Sequence, residues 1–214
     1  MEWILQLPVL FFSVIFHEFA HGYTAYRHGD DTAYLSGRLS FNPLPHIDPV
    51  GTILLPAACV FMGFPAMGWA KPVPVNPYRL HSPRTDMAKV AVSGPLSNIF
   101  LALVSAVIFK ILTLPFMGFM GADLVYSLLK AFSFAVIINL ALAIFNLIPV
   151  YPLDGSQIAL GLLKGNALET YEKHLPYGVY IILALVMTGL FKYILLPPLG
   201  LALWFLAHLG IYIG

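Results

Sequence analysis

Long apolar stretches along this chain are separated by short clusters of charge. A stretch of about 20 such residues is what a helix needs to cross the hydrocarbon core of a bilayer. The first runs from about Trp3 to Tyr26, with Gln6, Pro8, His17, Glu18 and His21 inside it. The second, Pro49 to Ala70, is broken by Pro49, Gly51, Pro56, Gly63, Pro65 and Gly68, which argues against a straight spanning helix. The third starts near Met87 and is charge-free from Val90 to Phe109, and the fourth is charge-free from Ala131 to Leu153. The fifth covers about Leu175 to Phe191, and the sixth runs from Tyr193 onward, after a short break at Pro197-Pro198. Ahead of the second stretch, residues Gly37 to Pro43 alternate like a short strand; behind it, Lys71 to Pro77 is Pro-rich and extended. The pattern predicts an all-α polytopic membrane protein with five to six transmembrane segments. Short β-strands and a re-entrant or interfacial segment are expected in an insert at 29–86, within a single domain over 1–214.

Composition agrees. Apolar residues make up 59% of the chain and charged ones 10%, against about 25% in an ordinary soluble domain. Mean hydropathy is +0.84. These values exclude a disordered chain, a nucleic-acid binder and an ordinary cytosolic enzyme. One cysteine, Cys59, makes no internal disulfide and no Cys-rich metal site. The N-terminus has no basic n-region and no small-residue cleavage site, so the first segment reads as a retained helix.

Charge also suggests an orientation. Arg27, Arg38, Lys71, Arg79, Arg84 and Lys89 all lie between the first and third segments, which places that region in the cytoplasm of a multi-pass cell-membrane protein. Lys164 and Lys173 agree, whereas Lys110 and Lys130 count against it. Both ends of 29–86 are then cytoplasmic. A single apolar stretch cannot cross an even number of times, so parity favours a re-entrant second segment.

His17-Glu18-Phe19-Ala20-His21 fits H-E-x-x-H. On a helix the two histidines are one turn apart and reach one metal ion, while Glu18 stands beside the open coordination position as a base. Two histidines and a carboxylate inside a spanning helix are expensive and mark function. The plainer reading is a polar cluster that holds a partner helix or conducts protons, as in a small multi-span transporter or channel. A catalytic zinc site needs a third protein ligand. Asp154, at the cytoplasmic end of the fourth segment, serves either as that ligand or as a helix N-cap paired with Gln157. His28, His46, His174 and His208 are its competitors.

At this point the chain resembles the site-2 protease family of intramembrane zinc metalloproteases. Three motifs match in order: His17 to His21, Ser93-Gly94-Pro95-Leu96-Ser97-Asn98, and Asn146-Leu147-Ile148-Pro149 leading to Pro152-Leu153-Asp154-Gly155. The short insert, with no PDZ-type or other regulatory domain, is similar to the compact prokaryotic branch. The resemblance implies one zinc ion on His17, His21 and Asp154, with Glu18 as catalytic base and Asn146 on the scissile carbonyl. It implies close packing at Gly94 and leaves Asn98 without a definite role. The implied substrate is a transmembrane helix of another membrane protein, reached by water from the cytoplasmic side. Residues 29–86 are expected either to hold its unwound segment by strand addition, with 38–43 as one such strand, or to form a plain membrane-surface lid.

Overall fold

A computed structural model describes residues 3–54, 61, 70–114 and 121–213. Eight α-helices are described: α1 (Trp3–Arg27), α2 (Thr32–Leu35), α3 (Pro83–Leu112), α4 (Ala122–Asn146), α5 (Asp154–Leu162), α6 (Gly165–His174), α7 (Gly178–Met187) and α8 (Phe191–His208). Helices α1, α3 and α4 pack together, α5 lies against α3, and α8 lies against α4.

The long helices are built with small and polar residues inward. On α3 the buried positions include Ala91, Gly94, Ser97, Asn98, Ala102, Ser105 and Ala106. Leu96, Phe100, Leu103, Val107 and Ile111 point outward and are exposed. A water-soluble bundle would reverse this; in lipid, close backbone approach and interhelical hydrogen bonds hold helices together, and large apolar side chains face the acyl chains. A small apolar core of Ala106, Phe109, Val136, Leu206 and Ile211 joins α3, α4 and α8.

Among the described residues, three helices are long and apolar enough to cross a membrane: α3, α4 and α8. The expected five to six transmembrane segments are not supported. α1 has 25 residues but carries His17, Glu18 and His21, which dilute its apolar character. The Leu175–Phe191 stretch breaks into a 3-10 turn and the 10-residue α7. At 1.5 Å per residue α7 is about 15 Å long, half a hydrocarbon core. The break follows at Gly189, whose φ of +69° a helix cannot absorb. Pro197 and Pro198, by contrast, lie inside α8 without ending it.

The β-strand insert is a second correction: among the described residues there is no strand. Residues 36–43 form turns and bends, followed by a 3-10 turn at Leu44–His46. The segment 71–76 has no regular secondary structure, and three of its N–H groups go elsewhere than to a strand. Lys71 N donates to His46 O (2.9 Å), Val73 N to Glu18 Oε2 (2.7 Å) and Asn76 N to Asp30 Oδ2 (2.6 Å). Pro72 and Pro74 have no N–H to offer. Carboxylates therefore hold this strap where a partner strand was expected. Most of the Pro49–Ala70 stretch, 55–60 and 62–69, lies outside the described residues.

Candidate metal centre

His17 and His21, one turn apart on α1, turn their rings towards α3 at Gly94. A Cβ built on Gly94 would stand 2.5 Å from His21 Cε1 and 2.6 Å from His17 Cε1, so only a glycine leaves room for both rings. Residues 147–153 form a turn after α4, and Asp154 is the first residue of α5. The N-cap position falls on Leu153, so Asp154 stands one residue inside the helix and is not its cap. Its Oδ2 lies 3.2 Å from His17 Nε2 and 3.3 Å from His21 Nε2, and the two Nε2 atoms are 3.0 Å apart. Ligand atoms on a tetrahedral zinc with bonds near 2.1 Å stand about 3.4 Å apart. The triangle is close to that size.

The protons on the outer nitrogens decide what the triangle can hold. His21 Nδ1 lies 2.7 Å from Val90 O, a carbonyl that only accepts, so Nδ1 carries the hydrogen. His17 Nδ1 lies 2.6 Å from Asn98 Oδ1. The Asn98 amide is oriented by its own donor: Nδ2 reaches Asn139 Oδ1 (2.8 Å) and Ser13 O (3.3 Å). Its oxygen therefore accepts from His17. In the neutral rings both Nε2 atoms then present lone pairs. Asp154 Oδ2 is buried and has no hydrogen-bond partner. Three acceptors converge on one point with no proton between them, an arrangement that a metal cation relieves. Among the described residues, His17, His21 and Asp154 are the only such group of three.

Glu18 is half-buried and faces the strap, where Oε2 accepts the Val73 N–H. Asn146 is not brought into the cluster's hydrogen bonds: its Nδ2 donates to Leu142 O (3.0 Å) one turn back in α4. The competing histidines have other partners. His28, His174 and His208 each bond the carbonyl four residues back, and buried His46 bonds Ser40 O. Sequence reasoning left Asn98 without a role and missed Asn139 and Ser13 altogether. A lone Asn inside the apolar run 135–145 was the available signal, because an unpaired amide at such depth is costly.

The sequence model of peptidase family M50 matches residues 110–188. A Bacillus subtilis (strain 168) protein named "Putative zinc metalloprotease YwhC" is 38% identical over 191 residues, covering 89% of this chain and 84% of its own. A Mycobacterium tuberculosis protein, "Putative zinc metalloprotease Rip2", is 27% identical over 143 residues, 67% of this chain and 51% of that one. A zinc metalloprotease of Methanocaldococcus jannaschii is 24% identical over 190 residues, 88% of this chain and 43% of that one. No solved structure matches the chain. Likeness to the Bacillus protein runs through most of both chains, and on that ground this chain belongs to peptidase family M50, the site-2 proteases.

Proposed function

We propose that this chain is a multi-pass intramembrane zinc metalloprotease that hydrolyses peptide bonds in or near transmembrane segments of membrane proteins. One observation carries the reading: three buried lone pairs, from His17 Nε2, His21 Nε2 and Asp154 Oδ2, meet within about 3.3 Å of one another. These residues would hold one zinc ion. Zinc bound there would bring the pKa of a coordinated water towards 7 and polarise the scissile carbonyl.

The chain's own groups do the rest. Glu18, next in sequence to His17, accepts a proton from the attacking water and returns it to the leaving amine as the C–N bond breaks. Asn146 Nδ2 swings from Leu142 O to the carbonyl oxygen and stabilises its developing charge. A substrate helix has its backbone groups paired internally and must unwind locally to offer a peptide bond. The excess of Lys and Arg between α1 and α3 supports a site open to the cytoplasm. α1 lies within the bilayer beside α3 and α4, although its composition is mixed.

The test is metal content and cleavage on purified full-length protein in detergent. Wild type holds one zinc per chain and cuts a model transmembrane substrate. His17→Ala loses the metal. Glu18→Gln keeps metal and fold, but cleavage falls at least about 100-fold. Asn146→Ala lowers kcat about 100-fold with KM little changed. Wild-type protein without zinc, or Glu18→Gln cleaving at the wild-type rate, overturns the proposal.

A further inference from the structure

Behind the metal centre runs a chain of buried polar groups that the proposed reaction does not use. Ser13, Asn98 and Asn139 come from α1, α3 and α4, and are 1%, 0% and 2% exposed. Ser13 Oγ donates to Val9 O (2.8 Å). Asn139 Nδ2 donates to Ser13 Oγ (2.8 Å) and to Ala135 O (2.9 Å). Asn139 Oδ1 accepts from Asn98 Nδ2, and Asn98 Oδ1 faces His17 Nδ1.

The direction of every bond is forced. Val9 O and Ala135 O only accept. Ser13 must therefore give its proton to Val9, and Asn139 must turn its NH2 towards Ser13 and Ala135. That leaves the Asn139 oxygen for Asn98. The Asn98 NH2 is thereby drawn away from His17, and its oxygen is left to accept from the imidazole. Reversing either amide would set two donors or two acceptors against each other at a buried site, where an unmet polar group is costly.

We propose that Asn139, supported by Ser13, is a positioning residue for the metal centre. Through Asn98 it selects the His17 tautomer that carries its proton on Nδ1 and leaves the Nε2 lone pair for the metal. Asn139 and Ser13 touch neither metal nor substrate. The inference rests on the zinc reading given above. A role confined to fastening α1, α3 and α4 together would make the same contacts but would not depend on their direction.

The two roles separate by measuring zinc affinity, through competition with a chelator, together with the thermal midpoint of metal-free protein, on the full chain in detergent. Asn139→Leu keeps the shape but leaves the Asn98 amide held only by its longer bond to Ser13 O (3.3 Å), so its orientation loosens and zinc affinity falls about 10-fold. Asn139→Asp still accepts from Asn98, and its affinity stays within about threefold of wild type. Ser13→Ala spares the Ala135 bond and weakens zinc about two- to threefold; it supplies the test where Asn139→Leu does not fold. Simple fastening predicts the reverse order, with Leu tolerated and a buried Asp disruptive. Wild-type affinity in both Asn139→Leu and Ser13→Ala overturns the inference alone, as does equal loss in the Leu and Asp variants. A wild-type protein that binds no zinc overturns the zinc reading and this inference together.

Discussion

A methyl group at position 94 would collide with both imidazoles of the metal centre, at 2.5 and 2.6 Å, where ordinary contacts begin near 3.4 Å. Gly94→Ala therefore shifts His17 and His21 without altering any ligand. We expect zinc affinity to fall at least about 10-fold, with a destabilisation of about 1–3 kcal/mol from overpacking. Chelator competition and thermal unfolding in detergent check the two effects separately. At this scale the sequence was informative where chemistry is local. His17, Glu18 and His21 share about one helical turn, and their spacing alone puts both imidazoles on one face of α1. The sequence was silent where chemistry depends on partners. Nothing in the residues around Asn139 says that its amide meets Asn98, 41 positions away, or that Glu18 spends an oxygen on Val73, 55 positions away.

At the scale of elements, α5 is the piece that delivers Asp154, and its seat on α3 is tight. A Cβ at Gly161 would overlap the Cβ of Ala88. Arg84, from the first turn of α3, donates to the carbonyls of Leu160 and Leu163 at the end of α5. Gly161→Ala lifts α5 off α3, and Asp154 moves with it. The expected result is weaker zinc binding while His17 and His21 keep their Nδ1 partners, together with a lower thermal midpoint; unchanged zinc affinity would show that Asp154 is seated independently of α5. Long apolar runs located α1, α3 and α4 because a bilayer rewards such stretches whatever their internal order. The same reasoning failed for Leu175–Phe191, since apolarity does not register the break at Gly189. It failed again at Gly37–Pro43: alternation marks a strand only when another strand is there to pair with it. In this chain the strap at 71–76 is claimed by the carboxylates of Glu18 and Asp30.

For the molecule as a whole, the proposed zinc site links stability to metal. Metal that binds only the folded chain stabilises it by RT ln(1 + [L]/Kd), about 4 kcal/mol at 1,000 times Kd. Chelation should lower the thermal midpoint by several degrees, and added zinc should restore it. Magnesium, which prefers six oxygen ligands, should not. An equal midpoint with and without chelator would mean that no cation occupies the triangle.

The proposed ligands also sit far apart along the chain, two on α1 and one at Asp154. A bound ion would therefore close a loop of more than 130 residues, from His21 to Asp154, in a protein whose single cysteine offers no other cross-link. In mechanical terms the zinc-loaded molecule is a ring with a tail. Pulled from either side of the ring, it should first release the residues that lie outside His21 to Asp154. The length held in the ring should come free only when the coordination ruptures. With chelator present, that final step should vanish from the force–extension trace.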